Sequence, residues 1–246
     1  MSVKGYVNQY ESMGMVDGPG TRFVVFLQGC LLKCQYCHNP ETIEIFKDKQ
    51  YQKTSKEVFN EINKLKEYYQ NGGVTISGGE PLLQLDFIID LCKRLKKIKL
   101  HVAIDTSGAF YQPNNEKQFQ QLKELLNYVD LFLVDIKHID EKKCLALTTK
   151  SNQSTLAFLR YLDDNKKATW IRYVLLKGKT DDKEDLKKTG EFITSLTNIE
   201  NVEILPYHQM AQQKWEDLGL KYELVDYKDS TPNDVKRAYQ TMFNLK

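Results

Sequence analysis

Near its N-terminus the chain reads Arg22-Phe-Val-Val-Phe-Leu-Gln28-Gly-Cys30-Leu-Leu-Lys-Cys34-Gln-Tyr-Cys37-His-Asn-Pro40. The β-branched and aromatic run Arg22–Gln28 predicts a strand. The loop that follows carries a Cys-x3-Cys-x2-Cys triplet, so three thiols lie at the carboxyl end of that strand. Three thiolates this close in sequence can converge on one metal centre.

Metal binding explains this triplet better than disulfides do. The chain has five cysteines, an odd count, and three of them fall within eight residues. That spacing is poor for a disulfide framework in a reducing compartment. A [4Fe–4S] cluster normally takes four cysteines, so three leave one iron open to an outside ligand, and an open iron is a reactive site.

A structural zinc site with His38 as its fourth ligand is the alternative. Cys37 and His38 are adjacent, whereas the ligands of a zinc pair are usually separated by about two to four residues. The other two cysteines predict no metal site. Cys92 follows Phe87 and Leu91 on an apolar helical face, which predicts a buried and inert thiol, and Cys144 is also expected to be structural.

Further runs rich in β-branched and aromatic residues recur along the chain. They predict strands at Val74–Ser77, Leu100–Thr106, Asp130–Lys137, Thr169–Leu176 and Val202–Tyr207. Apolar residues at helical spacing predict helices between most of them, with stripes Val58-Ile62-Leu65-Tyr69, Phe87-Leu91-Leu95 and Phe119-Leu122-Leu126-Val129. Thr54-Ser-Lys-Glu57 is typical of a capping box that opens the first helix.

Strands that alternate with helices predict an α/β fold. Right-handed crossovers then require a parallel sheet with helices outside it. Six such units are too few for a full eight-fold barrel, which leaves a partial (β/α)6 barrel or a doubly wound open sheet. In either fold, ligand chemistry belongs at the carboxyl ends of the strands. No repeat or linker marks a boundary, so residues 1–246 are expected to form a single domain.

Composition excludes several classes of function. The 35 basic and 33 acidic residues give a formal charge of +2, unlike the basic footprint of a nucleic-acid binder. Apolar runs such as Phe23–Leu27 are too short for a membrane-spanning helix. Residues 1–10 lack the apolar stretch of a secretion signal, so a cytoplasmic location is expected.

Several motifs together resemble a known superfamily. The triplet Cys30, Cys34 and Cys37, followed by Ser77-Gly-Gly-Glu-Pro81, resembles the radical S-adenosylmethionine superfamily. Within it, the glycyl-radical enzyme activating family is similar at Gly14-Met-Val-Asp-Gly-Pro-Gly20, Gln28-Gly-Cys30 and Tyr36-Cys-His-Asn-Pro40. Trp170-Ile-Arg-Tyr-Val174 and Leu205-Pro-Tyr-His208 resemble the activators of pyruvate formate-lyase, and the likeness runs from Gly5 to about Trp215.

The resemblance implies an activity and its cofactors. A cluster held by Cys30, Cys34 and Cys37 would reductively cleave S-adenosylmethionine to methionine and a 5′-deoxyadenosyl radical. That radical would abstract a glycine Cα hydrogen from pyruvate formate-lyase under anaerobic conditions. Flavodoxin or ferredoxin would be the electron donor to the cluster. We accordingly predict a partial (β/α)6, TIM-like barrel that acts as a monomer and binds neither nucleic acid nor membrane.

The resemblance also implies contacts to the cofactor. These residues are Tyr36, Cys37, His38, Gly78, Gly79, Asp135, Ile136, Lys137, Arg172 and His208. Asp105, Thr106 and Asp135 would hold a monovalent cation beside the cofactor carboxylate, as hard oxygen ligands should. Without the resemblance, the aspartates would be interpreted as helix caps and Gly78-Gly79 as a plain turn. His38 would then be a solvent-facing loop histidine and His208 a structural residue.

One departure and several rival functions bear on these expectations. Activators of pyruvate formate-lyase usually carry Gly before Xaa-Ser-Asn, and this chain departs from that pattern at the local turn, with Thr149-Lys-Ser-Asn152. Activators of other glycyl-radical enzymes often carry a cysteine-rich insert, and no cysteine lies between Cys37 and Gly72 here. A non-enzymatic zinc or iron–sulfur binding module is the alternative from a different class.

Overall fold

The computed structural model describes residues 2–45 and 48–245. Within these residues the strands are β1 (Lys4–Gly14), β2 (Arg22–Leu27), β3 (Gln52–Thr54), β4 (Gly73–Gly78), β5 (Val102–Thr106), β6 (Leu131–Asp135), β7 (Thr169–Leu175) and β8 (Ile199–Pro206). The helices are α1 (Ser55–Lys64), α2 (Leu85–Lys97), α3 (Glu116–Leu126), α4 (Glu141–Thr148), α5 (Gln153–Asp164), α6 (Lys183–Thr194), α7 (Gln212–Asp217) and α8 (Pro232–Phe243).

The strands form one eight-stranded sheet in the order β3-β1-β2-β4-β5-β6-β7-β8. The pairs β2–β4, β4–β5 and β7–β8 are parallel, whereas β1 pairs antiparallel with both β2 and β3. Across the sheet from β2 to β8 the strands follow one another in chain order, except that β3 pairs with β1 at the other edge. In a doubly wound sheet the strand order reverses at a switch point. The observed strand order has no such reversal from β2 to β8, so it matches the predicted partial (β/α)6 barrel.

All six predicted strands are confirmed, with ends shifted by at most three residues. Strands β1 and β3 were missed. Most of β1 is exposed or half-buried, so it lacks the apolar alternation that would announce it. At three residues, β3 is too short to carry a pattern.

The chain divides into two compact units. The first unit comprises Met1–Leu31, Thr42–Thr106 and Phe110–Leu133, and the second comprises Leu32–Glu41, Ser107–Ala109 and Val134–Lys246. That residues 1–246 act as a single domain stays a prediction.

In the first unit, the predicted capping box opens α1. The Thr54 hydroxyl accepts from the Glu57 amide, and the Glu57 carboxylate accepts from the Thr54 amide. Val58 and Ile62 are fully buried as predicted, whereas Leu65 ends the helix and is 36% exposed. A capping box satisfies two amide donors that the first helical turn leaves free, so this helix begins where its local sequence dictates.

In the second unit, α4 ends on a residue in the left-handed region. Thr149 follows the helix with φ of 66°, and its amide donates to the Leu145 carbonyl at 2.8 Å. Glycine is the usual residue at this position because a Cβ makes left-handed φ costly, especially with a β-branched side chain. The turn expected from the family pattern is therefore kept, with Thr149 under strain.

None of the helices in the described ranges combines the length and apolar character that crossing a membrane requires.

Candidate active site

Cys30 lies in the first unit, where the end of β2 is bonded on two sides. The Gly29 amide donates to the Thr42 carbonyl at 2.7 Å, and the Cys30 amide donates to the Ile43 carbonyl at 3.2 Å. The Gly29 carbonyl accepts from the Glu80 amide at 2.8 Å. These bonds hold the backbone of Cys30 at the carboxyl end of β2, and the Cys30 side chain is partly exposed.

Cys34 and Cys37 lie in the second unit, on a segment docked against the C-terminal end of α4. The Lys33 amide donates to the Thr148 carbonyl at 2.9 Å, and the Gln35 amide donates to the Leu147 carbonyl at 3.0 Å. The last carbonyls of a helix have no partner inside it. The loop therefore satisfies the end of α4 while α4 positions the loop.

Burial is the main cause of the pKa shifts of the Cys34 and Cys37 thiols in the second unit. It raises the pKa of Cys34 to about 12 and also raises the pKa of Cys37, while the Lys137 ammonium opposes the shift in both. A metal binds the thiolate, and its positive charge supplies the compensation that a buried thiolate needs.

Among the residues that the structure describes, no three Cys, His, Asp or Glu side chains converge as ligands of one metal ion would. A cubane of four irons is larger than one ion, so its three thiol ligands need not meet at the short distances of a zinc site.

Gly78 and Gly79, in the first unit, lie where the chain leaves no room for a side chain. A Cβ on Gly78 would come within 2.2 Å of the Leu27 nitrogen, and one on Gly79 within 2.2 Å of the Gly29 carbonyl oxygen. Gly78 also has φ of +109°. Both glycines are therefore required by the close approach of the protein's own backbone, and their contact with a cofactor stays a prediction.

Asp105 and Thr106 end β5 in the same unit, and both have partners there. The Ser77 hydroxyl donates to Asp105 Oδ2 at 2.7 Å. The Thr106 hydroxyl donates to Glu80, whose carboxylate also accepts from the Leu82 amide at 3.1 Å. Glu80 is 1% exposed, so it ties the Gly-Gly turn to the end of β5.

Asp135 and Lys137 meet in the second unit. Lys137 Nζ lies 3.0 Å from Asp135 Oδ2 and 5.7 Å from the centre of the Tyr36 ring. Burial lowers the pKa of Lys137, but the nearby Asp135, Tyr36 and Cys34 outweigh it and leave that pKa well above its ordinary value. Lys137 is therefore a permanently charged ammonium. Ile136, between the two, is 1% exposed, and its amide donates to the Arg172 carbonyl at 3.0 Å.

The two predicted histidines of the second unit are neighbours. The rings of His38 and His208 are 4.3 Å apart and tilted by 40°. Burial, with smaller effects from His208 and Lys214, lowers the pKa of His38 to about 4, so its imidazole is neutral near pH 7. The sequence pattern named both residues but could not show that they touch.

Arg172 is buried, as its place in an apolar strand predicts. It is 7% exposed, and its Nε lies 3.1 Å from Glu203 Oε2 on the paired strand β8. A buried guanidinium is costly unless it meets an anion, and Glu203 is that anion. Any contact of Arg172 with the cofactor stays a prediction.

Sequence reasoning missed two residues that contact the cysteine loop in the second unit. Trp215 Nε1 donates to the Cys37 carbonyl at 2.9 Å, and Lys214 Nζ donates to the His38 carbonyl at 3.0 Å. Both lie on α7, far along the chain from the loop. No local signal marks them, apart from the scarcity of tryptophan, with Trp215 one of two in the chain.

The residues present fit a cluster and a polar cofactor. The donor set offers three thiols within eight residues. In the second unit, the Cys34 and Cys37 thiols are near enough to the Lys137 ammonium for its charge to oppose the rise of their pKa values. Within the described ranges, the Tyr36 hydroxyl and His208 Nδ1 are buried without a hydrogen-bond partner. Buried polar atoms normally have partners, so both atoms in the second unit are available to a ligand.

The chain is similar to one protein family and to several known proteins. The family described as "4Fe-4S single cluster domain" matches residues 16–156. A pyruvate formate-lyase-activating enzyme of Staphylococcus aureus (strain USA300) is 48% identical over 241 residues, which cover 97% of this chain and 95% of the relative.

Two solved structures are similar to the chain. A domain of pyruvate-formate lyase-activating enzyme from Bacteroides vulgatus ATCC 8482 is 25% identical, with a TM-score of 0.57 over 71% of this chain and 94% of that one. A radical SAM methyltransferase from Sphaerobacter thermophilus, 14% identical, has a TM-score of 0.63 over 91% of this chain and 64% of that one, and shows the fold alone.

The sheet order, the cysteine loop and these similarities define a radical S-adenosylmethionine enzyme that uses a [4Fe–4S] cluster. Near-complete coverage at 48% identity narrows the class further. The chain belongs to the family of pyruvate formate-lyase-activating enzymes.

Proposed function

We propose that this enzyme activates pyruvate formate-lyase under anaerobic conditions by placing a radical on a glycine of that protein. The observation that carries the proposal is the Cys30, Cys34 and Cys37 loop at the carboxyl end of β2, in a chain 48% identical to a curated pyruvate formate-lyase-activating enzyme. A glycine Cα radical is stabilised by the flanking amide groups, so hydrogen abstraction needs no acid or base. The absence of a nucleophile–base pair from the proposed machinery is consistent with this chemistry.

Cys30, Cys34 and Cys37 would hold three irons of the cluster and leave the fourth for the methionine end of S-adenosylmethionine. Reduced by one electron, the bound cluster would supply that electron to break the S–C5′ bond of S-adenosylmethionine, giving methionine and a 5′-deoxyadenosyl radical that would take the glycine Cα hydrogen and become 5′-deoxyadenosine. The protein's part is to position the reactants and exclude water, because the substrate carbon must come within about 3–4 Å of the radical carbon.

The remaining predicted residues would position the cofactor. Lys137, charged and buried beside Asp135, suits a carboxylate as a flexible point charge. The unpartnered Tyr36 hydroxyl and His208 Nδ1 suit the polar groups of the nucleoside. We assign supporting contacts to Cys37, His38, Gly78, Gly79, Ile136 and Arg172.

A monovalent cation held by Asp105, Thr106 and Asp135 completes the proposal. Each of the three has a protein partner in its own unit, so a bound cation would compete with or extend those contacts. Potassium should tighten S-adenosylmethionine binding relative to a bulky organic cation at equal ionic strength. An unchanged response to potassium in Asp135→Ala would remove the cation from the proposal.

We propose the protein substrate, the electron donor, the location and the oligomeric state from membership of the same family. Pyruvate formate-lyase is the proposed protein substrate, flavodoxin or ferredoxin the electron donor, and the cytoplasm the location of a monomeric enzyme. The chain lacks cysteines between Cys37 and Gly72, which favours this partner over glycyl-radical enzymes whose activators carry a cysteine-rich insert.

The deciding experiment uses the anaerobically reconstituted enzyme with reductant, S-adenosylmethionine and inactive pyruvate formate-lyase. A glycyl doublet in the electron paramagnetic resonance (EPR) spectrum is expected. Cleavage of S-adenosylmethionine without that doublet, together with a doublet on another glycyl-radical enzyme, would show that the partner is wrong.

A matched pair of variants tests the cluster. Cys34→Ser should lose both the brown cluster and S-adenosylmethionine cleavage, because a weakly acidic hydroxyl cannot replace a thiolate ligand. Cys92→Ser, at a buried thiol on α2, should retain both. Wild-type protein that stays colourless and binds zinc after reconstitution would instead support the non-enzymatic binding module.

A further inference from the structure

The short helix α7 holds the backbone on both sides of His38. Trp215 Nε1 donates to the carbonyl of Cys37 at 2.9 Å. Lys214 Nζ donates to the carbonyl of His38 at 3.0 Å, and it also pairs with Glu41 at 2.9 Å. All these residues belong to the second unit.

These two carbonyls belong to consecutive peptide planes. The Cys37 carbonyl lies in the plane that joins Cys37 to His38, and the His38 carbonyl lies in the plane that joins His38 to Asn39. Because each peptide group is rigid, fixing a carbonyl direction fixes a ψ angle and the next φ angle. The bond from Trp215 therefore constrains how the chain presents the Cys37 thiol and the His38 ring.

Trp215 is the better anchored of the two donors. Its ring packs 5.9 Å from the ring of Tyr222, whose hydroxyl lies 2.7 Å from the hydroxyl of the fully buried Tyr207. Lys214 is a flexible side chain that is 47% exposed. The indole thus connects the Cys37 carbonyl to the core of the second unit through rigid aromatic groups.

We propose that Trp215 is a positioning residue that sets, through its bond to the Cys37 carbonyl, where the Cys37 thiolate and the His38 imidazole meet the cluster and its cofactor. This proposal rests on the proposed function for the identity of those groups, and it does not depend on which protein supplies the glycine. Loss of the indole N–H should alter the environment of the loaded cluster while leaving the fold intact.

The test compares two substitutions with a control. Trp215→Phe removes the N–H donor and keeps an aromatic ring, and Trp215→Ala removes both. Trp170→Phe, on β7, is the control at the only other tryptophan. Iron content and the thermal unfolding midpoint report loading and folding. The EPR spectrum of the reduced cluster, recorded during titration with S-adenosylmethionine, reports the cofactor site.

The expected result is a selective one. Trp215→Phe should keep its iron and its unfolding midpoint, but show an altered EPR line shape and a weaker affinity for S-adenosylmethionine by roughly two- to tenfold, the range for loss of one neutral hydrogen bond. Trp215→Ala should show a larger effect, and Trp170→Phe none. A Trp215→Phe protein whose spectrum and affinity match those of Trp170→Phe would overturn the proposal.

A second measurement holds if the Trp215 variants do not fold. In Trp170→Phe the only tryptophan is Trp215, so the wavelength of its emission reports whether that indole is packed or exposed to water. The loaded protein should emit at a shorter wavelength than the urea-unfolded protein, and a loaded protein that emits at the wavelength of the unfolded one would overturn the proposal. A wild-type enzyme that gives no glycyl doublet, with the Trp215 effects intact, would refute the proposed partner alone.

Discussion

Gly78→Ala should destabilise the protein much more than Gly178→Ala, although both glycines have positive φ. Gly78 has φ of +109° and Gly178 has φ of +75°. A Cβ on Gly78 would come within 2.2 Å of the Leu27 nitrogen and 2.5 Å of the Leu27 carbonyl oxygen, whereas a Cβ on Gly178 would meet none of the described residues within 4 Å. The pair therefore separates the cost of the backbone angle from the cost of the missing space.

The magnitudes follow from these two costs. A left-handed conformation costs an alanine about 1–2 kcal/mol, and the lower entropy of the unfolded alanine chain offsets about 0.4–1 kcal/mol of it. Gly178→Ala should therefore lose about 1 kcal/mol or less. Gly78→Ala should add a packing cost of about 1–3 kcal/mol, because the atoms in its way are backbone and cannot rotate aside. Its total loss should be about 2–4 kcal/mol.

Thermal unfolding of the anaerobically reconstituted proteins measures the difference. For a chain of this size, 1 kcal/mol shifts the midpoint by about 2–4 °C. The midpoint of Gly78→Ala should fall by about 4–16 °C, and that of Gly178→Ala by no more than about 4 °C. Equal shifts in the two variants would show that the backbone of Leu27 does not fill the space beside Gly78, and would refute the reasoning.

Two further predictions concern stability. Thr149→Gly should raise the unfolding midpoint by about 2–4 °C, because it removes the strain of a β-branched residue at φ of 66°. Lys166→Gly, at an unbranched residue with φ of 51°, should raise the midpoint by less. An equal rise in the two variants would contradict the role of β-branching. Burial raises the pKa of Asp130, but hydrogen bonds from Lys96 and the Val102 amide outweigh burial and lower that pKa. The ionised Asp130 carboxylate therefore stabilises the folded protein above its unfolded-state pKa of about 3.9. This stabilisation is lost as the pH falls through the lower pKa of Asp130 in the folded state. Urea unfolding of the Asp130→Asn variant should therefore show a weaker dependence on pH below about pH 4 than wild type, and parallel curves would contradict this.

Local sequence was sufficient for most of the secondary structure and for the fold class. The strand at Arg22–Leu27 and the capping box at Thr54 were both predictable, because they depend on residues within a few positions of one another. The alternation of strands with helices implied the parallel α/β sheet through the handedness of its crossovers. Strand β1 was not predicted, because this mostly exposed antiparallel strand has no apolar periodicity in its sequence.

The residue types of the site were also present in the sequence, in the spacing of Cys30, Cys34 and Cys37 and in the pair Asp135 and Lys137. A spacing of two along an extended segment places both side chains on one face, so their shared face was predictable, whereas the ion pair between them was found only in the structure.

Only the tertiary structure decided which distant residues support the site. The bond from Trp215 to Cys37 joins residues 178 positions apart, and the bond between Thr106 and Glu80 joins the end of β5 to the turn that follows β4. No local sequence pattern predicts either bond, because both bonds depend on the path of the folded chain and not on the periodicity of any one segment. The sequence therefore determined which side chains could carry the chemistry, whereas tertiary packing decided which distant side chains, such as the Trp215 indole and the Glu80 carboxylate, hold them in place.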